Sequence, residues 1–250
     1  MRFLFTVVTL LVISALAHSQ VINIENQRIK GDTNTWSGKI KLGATYVQTS
    51  SELLRLNWNN HIQYKKDSNL VLILTDYYLS KSASESFENA GTMHIRYNRK
   101  IKENFTLELF TQAQYNKLLN VDFRWLTGIG PRFKILHKGK SRIYFASLYM
   151  YEYEELSTPL VYHRDHRISS YLSMNLKIAD NVTFVNTTYF QPKVTDFEDF
   201  RVYSQFDLQF KFSKHFAFST AYRLYYDSKP PEGIVMRTHY LTNSLVFSFN

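Results

Sequence analysis

Residues 200–212 read FRVYSQFDLQFKF. One face carries Phe200, Val202, Ser204, Phe206, Leu208, Phe210 and Phe212; the other carries Arg201, Tyr203, Gln205, Asp207, Gln209 and Lys211. Successive side chains of a strand point to opposite faces, so this is a two-faced strand with one apolar and one polar side. The pattern recurs along the chain. Leu54, Leu56, Trp58, Ile62 and Tyr64 oppose Arg55, Asn57, Asn59, His61 and Gln63. Phe105, Leu107, Leu109, Ala113 and Tyr115 oppose Thr106, Glu108, Gln112 and Gln114, and Val121, Phe123, Trp125, Ile129 and Phe133 oppose Asp122, Arg124, Gly128, Gly130 and Arg132. Phe216, Phe218, Tyr222, Leu224 and Tyr226 oppose His215, Ser219, Arg223 and Asp227.

The length of these segments narrows the fold class. Strands of soluble proteins run about 5–6 residues, whereas a tilted bilayer crossing takes about 9–11 and its interfacial ends more. Short polar turns fall at Lys65–Asn69, Lys100–Asn104, His137–Ser141, Ala179–Asn181 and Ser213–His215. Between them lie other, mostly longer polar breaks at Gln48–Glu52, Ser80–Asn89, Asn116–Asn120, Glu154–Asp165, Pro192–Asp199 and Ser228–Gly233. Counting strands between breaks predicts about twelve, an even number that puts both ends of the sheet on one side. In lipid every backbone N–H and C=O must be paired within the protein, and only a closed barrel leaves no edge. The expected fold is therefore all-β: a closed antiparallel up-and-down transmembrane β-barrel over residues 36–250, with short turns on one side and longer loops on the other. The alternative is a soluble secreted β-barrel or sandwich that covers these apolar faces itself.

Composition fits an ordered β protein. The 250 residues include 18 Tyr and 19 Phe but only 8 Gly and 5 Pro, which excludes low-complexity and collagen-like chains. The absence of cysteine excludes a disulfide scaffold, a thiolate metal site and a cysteine nucleophile. Residues 1–19 have the form of a cleaved secretory signal: Arg2, then an apolar run from Phe3 to Ala17, then the small residues Ala15, Ala17 and Ser19. Cleavage after Ser19 would leave a polar leader over residues 20–35. The net charge of +9 raises the question of nucleic acid, but the basic residues are scattered singly and form no recognisable module. No nucleic-acid partner is expected.

From Ile95 to Tyr153 the chain carries Tyr97-Asn98-Arg99, then Asn104 to Gln112, Gln114-Tyr115-Asn116, Arg124, Gly128-Ile129-Gly130-Pro131-Arg132-Phe133 and Tyr151-Glu152-Tyr153-Glu154. This resembles a family of bacterial outer-membrane proteins of unknown function, often called salt-induced outer membrane proteins. The resemblance implies a β-barrel in the outer membrane of a Gram-negative bacterium, with outer-membrane lipids as its surroundings and no established activity. The final segment, with Leu241, Leu245, Phe247 and Phe249 on one face, resembles the C-terminal strand by which such barrels engage the barrel-assembly machinery. It departs from that pattern by ending in Asn250.

No constellation points to catalysis or to a cofactor. His163-Arg164-Asp165-His166 is the densest run of potential metal ligands, yet on a strand His166 points away from His163 and Asp165, and arginines accompany it; an outer charged loop is expected there. Gly128 and Gly130 lack the spacing and lysine of a phosphate loop, and glycines within a strand mark a bend or a close backbone approach. There is no Gly-x-Ser-x-Gly, so a lipid hydrolase, the enzymatic alternative, has no motif behind it. Two glycosylation sequons, at Asn104 and Asn181, fall in tight turns, and the lysines at the short turns suit solvated turns or anionic lipid heads. The polar faces give the candidate lumen-facing set: Arg55, Arg96, Glu108, Arg124, Arg132, Glu152, Arg201, Asp207 and Arg223, with Asp122 and Arg142 on the same reading. These groups are expected to pair across the interior. If small solutes or ions pass, the excess of arginine favours anions. The reading is a small pore or a structural envelope protein, not an enzyme.

Overall fold

A computed structural model describes residues 35–247, apart from 49–51, 83–84, 140, 158 and 214–215. The described residues form one antiparallel sheet of twelve strands in which each pairs with its sequence neighbours. The strands are β1 (Trp36–Gln48), β2 (Glu52–Lys66), β3 (Asn69–Ser82), β4 (Glu85–Lys102), β5 (Phe105–Asn116), β6 (Val121–Lys138), β7 (Ser141–Ser157), β8 (Leu160–Ala179), β9 (Val182–Lys193), β10 (Asp196–Lys211), β11 (Phe216–Asp227) and β12 (Arg237–Phe247). The period-two pattern of residues 200–212 falls inside β10. The expected number, order and direction of strands match the sheet. Among the described residues no helix is long and apolar enough to cross a membrane.

Three expectations need correction. Long loops were expected on one side, but β7 runs to Ser157 and β8 begins at Leu160, so the stretch 154–165 is almost entirely strand. At residues 80–89 and 192–199 too the described residues are mostly strand: β3 runs to Ser82 and β4 begins at Glu85, and β9 runs to Lys193 and β10 begins at Asp196. The connection between β11 and β12 is the long one. Second, Asp122 does not join the buried face: the β6–β7 register shifts between Val121 and Phe123. That irregularity leaves Val121 fully buried, while Asp122 pairs with Lys117 near the surface. Third, closure is absent among the described residues, since β1 pairs only with β2 and β12 only with β11. The contacts that curl the sheet lie between β4 and β10, whereas Lys39, Lys41 and Thr45 on the same face of β1 are exposed. The expected export segment, most of the leader and residues 248–250 lie outside the described residues.

One face of the sheet is buried and mixes charged, polar and apolar side chains; the other is exposed and largely apolar. On β7 Ala146, Leu148, Met150, Glu152, Glu154 and Leu156 are buried while Phe145 and Tyr149 between them are exposed. The buried face is the inside of a curl. Tyr171 on β8 reaches Glu108 on β5, and Arg201 on β10 reaches Glu152 on β7. Strands three apart in a flat sheet stand about 14 Å from each other, with side chains perpendicular to it, so such contacts require curvature toward that face. The two glycines of β6 serve close approach. A Cβ on Gly130 would lie 2.3 Å from the Ser147 carbonyl oxygen and 2.6 Å from Leu148 Cα, and one on Gly128 2.6 Å from the Phe110 ring.

Candidate functional site

The polar side chains of the buried face converge on two carboxylates. Glu152 of β7 is 1% exposed and receives three guanidiniums: Arg124 Nε at 3.1 Å, Arg167 Nε at 2.6 Å, and Arg201. Glu154, two residues further along the same face, meets Arg124 and, at 3.6 Å, Arg201. The arginines are tied outward in turn. Arg201 Nε lies 2.9 Å from Asp227, Arg167 lies 2.9 Å from Asp199 and 3.7 Å from Asp165, and Lys193 lies 2.7 Å from Asp165. The lattice thus stitches β6, β7, β8, β9, β10 and β11 together through one face.

The second carboxylate is Glu108 of β5, which is fully buried. It meets Arg96 at 3.0 Å and Arg132 at 3.6 Å, and the Tyr171 hydroxyl donates to it at 2.7 Å. The Arg96 guanidinium lies 5.3 Å from the centre of the Phe110 ring, and that of Arg132 lies 3.7 Å from the centre of Tyr144. Such cation–π contacts gain strength where water is excluded. His94 completes this cluster, its Nδ1 2.8 Å from Gln112 Oε1 and its ring stacked on Phe110.

Between these clusters and the end of the sheet runs an arc of tyrosines on five successive strands: Tyr171, Tyr189, Tyr203, Tyr225 and Tyr240. Neighbouring rings lie 5.0, 6.1, 4.7 and 6.0 Å apart. The first three are nearly fully buried. They are core, packed against Phe110, Leu126, Ala146, Leu148 and Met150. A cavity of about 280 Å³ opens at the end of the sheet beside the Pro230–Pro231 loop, lined by Glu154, His163, Asp165, Arg167, Arg201 and Lys229 among others. Both signs of charge line it, and no single ligand chemistry is favoured.

Of the candidate set, Arg96, Glu108, Arg124, Arg132, Glu152 and Arg201 come together in these clusters. Asp207 is half-buried and accepts from Gln205 at 2.7 Å. Arg223 is half-buried opposite Gln205, and Arg55 lies on the same face but exposed, near the β1 edge. Arg142 is half-buried at the turn end of β7. Sequence reasoning missed Arg167, Glu154, Asp165, Asp199, Asp227 and Tyr171 as members. The expected charged loop at 163–166 is strand: Asp165, Arg167, Ser169, Tyr171 and Ser173 are buried alternately with Arg164, His166 and Leu172. That alternation could have revealed them. The added carboxylates also offset the excess of arginine that had suggested anion preference.

Hydroxyls on the apolar face, among them the buried Ser204, are paired sideways. Ser147 and Ser170 Oγ lie 3.0 Å apart, and Thr188 Oγ1 lies 2.6 Å from Ser204 Oγ. Ring pairs on that face gather toward both strand ends. Phe123–Tyr153, Trp125–Tyr151 and Phe190–Phe200 sit toward one end, Trp36–Tyr64 and Phe105–Phe133 toward the other.

The family described as "Protein of unknown function, DUF481" matches residues 40–249, so the chain belongs to that family. Comparison with curated proteins found no match. Among solved structures, a NanC porin is similar at 13% identity and a TM-score of 0.48, over 85% of this chain and 100% of that one. A KdgM porin in complex with disordered oligogalacturonate shows 8% identity and a TM-score of 0.37, over 84% and 99%. Pseudomonas aeruginosa OccK11 (OpdR) shows 8% identity and a TM-score of 0.39, over 84% and 79%.

Proposed function

We propose that this member of the family is an outer-membrane β-barrel of a Gram-negative bacterium whose strands close in the membrane and whose interior, from β4 to β10, is filled by paired side chains. It is a structural envelope protein, neither an enzyme nor an open channel, exported by its N-terminal segment and assembled through its last strand. The candidate set, from Arg55 to Arg223, then faces the lumen. The observation that carries this reading is the pairing of an apolar exposed face with a buried face whose charges are matched. A soluble sandwich would reverse the exposure.

The dimensions support it. Trp125 and Phe133, which mark the two aromatic levels on β6, are eight residues apart. That is roughly 26 Å along a strand and about 20 Å along the normal of a tilted barrel, near the ~25 Å apolar band of such proteins. Outward hydroxyls that pair with each other need no water. Inside, a carboxylate bound by three guanidiniums leaves no room for free passage along that wall.

Planar-bilayer recordings of the refolded protein test the filled interior. The expected result is no conductance or only small, rare steps. Large and stable steps would refute the filled interior and favour the small-pore reading. That second reading rests on one observation, the exposure of Lys39, Lys41 and Arg55 on the inward side of β1 and β2.

A further inference from the structure

The sheet's own registers limit how its two edge strands can meet. This step rests on the barrel reading above. Starting from Lys66 at the end of β2, partners run level across the sheet: Asn69, Arg99, Leu107, Pro131, Ser147, Ser170, Phe190, Val202, Tyr226 and finally Arg237 at the start of β12. The β6–β7 step follows from the flanking pairs Ile129–Tyr149 and Arg132–Ala146. On the other side, Trp36 pairs with Tyr64, so Lys66 lies level with a point two positions short of Trp36, where β1 starts. Arg237 is therefore level with that same point. A flat cylinder would set β12 against chain that precedes β1, and a barrel avoids this because its tilted strands return with an offset, the shear.

Three constraints choose the offset. Ile40 and Leu42 on β1, and Leu241 and Leu245 on β12, are all exposed. Keeping them on one outer face pairs even-numbered residues of β1 with odd-numbered residues of β12, which permits only even offsets. Offsets of 12, 14 and 16 in twelve strands correspond to tilts of roughly 35°, 39° and 42°, against about 35–45° for barrels in membranes. Strand ends and tilt decide among them. An offset of 16 carries Arg237 past Gln48, the end of β1. Offsets of 12 and 14 both give all eleven residues of β12 a partner among the thirteen of β1, within 36–46 and 38–48. The tilt for 12 falls at the lower edge of the range, whereas that for 14 lies inside it, and 14 also sets Gln48 opposite Arg237 so that the two strands end together on the loop side.

We propose that β1 and β12 close the barrel in this register, with shear 14, Ile40 facing Leu245 and Ala44 facing Leu241. The exposed edges of the two strands are each other's partners rather than a docking place for a second copy.

The chain contains no cysteine, so paired cysteines report without background. Directly opposed residues of antiparallel strands have Cα atoms about 4.5–5.5 Å apart, within disulfide reach, whereas a two-residue slip puts them about 7–8 Å apart, beyond it. Leu241→Cys is combined in turn with Leu42→Cys, Ala44→Cys and Tyr46→Cys in the full chain refolded into vesicles. Each variant is first checked for the wild-type mobility difference between heated and unheated gels, then oxidised with a membrane-permeant oxidant. The expected result is near-complete intramolecular cross-linking of the Ala44 pair, with thiols retained in the other two. Preferential cross-linking of the Leu42 or Tyr46 pair would overturn the register while leaving closure intact. Cross-linked dimers, or no cross-link in any of the three, would overturn closure itself.

Discussion

Replacing Glu152 by glutamine keeps the shape of the side chain and removes the charge that three guanidiniums share. Breaking a buried ion pair by removing one partner costs about 3–5 kcal/mol, because the remaining charge is left uncompensated out of water. Here each arginine retains a second carboxylate: Arg124 keeps Glu154, Arg167 keeps Asp199 at 2.9 Å, and Arg201 keeps Asp227 at 2.9 Å. The loss should therefore fall at the low end, about 3 kcal/mol. Urea unfolding of the protein refolded in vesicles, followed by tryptophan fluorescence, reads it as a lower midpoint at unchanged slope. The loss should persist in 1 M salt, since buried pairs are screened little. A surface pair gives the contrast: Asp122→Asn removes the partner of Lys117, whose side chain is 54% exposed, and should cost about 0–1 kcal/mol. A Glu152→Gln variant indistinguishable from wild type, or as salt-sensitive as Asp122→Asn, would refute a dry, paired interior.

Other perturbations probe other parts of the account. Gly130→Ala would push a methyl group to 2.3 Å from the Ser147 carbonyl oxygen; a stability loss of about 1–3 kcal/mol or failed refolding is expected, read by the same urea titration. Tyr171→Phe removes a 2.7 Å bond to Glu108 and should cost about 1–3 kcal/mol, while Tyr149→Phe on the exposed face should cost clearly less. At the loop end of the sheet, Lys229 Nζ lies 2.5 Å from Asp196, which lowers the carboxylate's pKa and raises the ammonium's, chiefly through that hydrogen bond. The tether is complete between the two ordinary values. It is lost as pH falls through Asp196's depressed value and as pH rises through the raised value of Lys229. Limited proteolysis at Glu232–Val235 should be slowest across that window, and Lys229→Met should abolish the dependence.

Much of this architecture is legible in the sequence because a two-sided strand must alternate. The stretch 200–212 already separates the face carrying Arg201, Tyr203 and Gln205 from the face carrying Phe206 and Leu208, and the structure keeps that division. The polar turns at 65–69 and 179–181 mark true strand ends for the same reason. Alternation leaves no hydrophobic trace where a strand is charged on both faces. At 163–166 outward Arg164 and His166 alternate with inward His163 and Asp165, so the hydrophobic signal vanishes and the segment passes for a loop. Arg167 was lost with it. Pairing across the interior is illegible for a different reason, since Glu108 and Tyr171 are 63 residues apart and meet only through the curl of the sheet. The glycines were recognised as a constraint, but whether Gly130 bends the strand or admits a neighbour depends on β7, which β6 alone cannot reveal.

The central claim is that the apolar face meets acyl chains. The chain holds three tryptophans, Trp36, Trp58 and Trp125, and all lie on that face, 63%, 44% and 40% exposed. Refolding into vesicles with bromine carried on the acyl chains places a short-range quencher beside each of them. The account predicts strong loss of tryptophan emission relative to unbrominated vesicles. Emission unchanged by bromine, in a protein that also stays monodisperse without detergent, would contradict it.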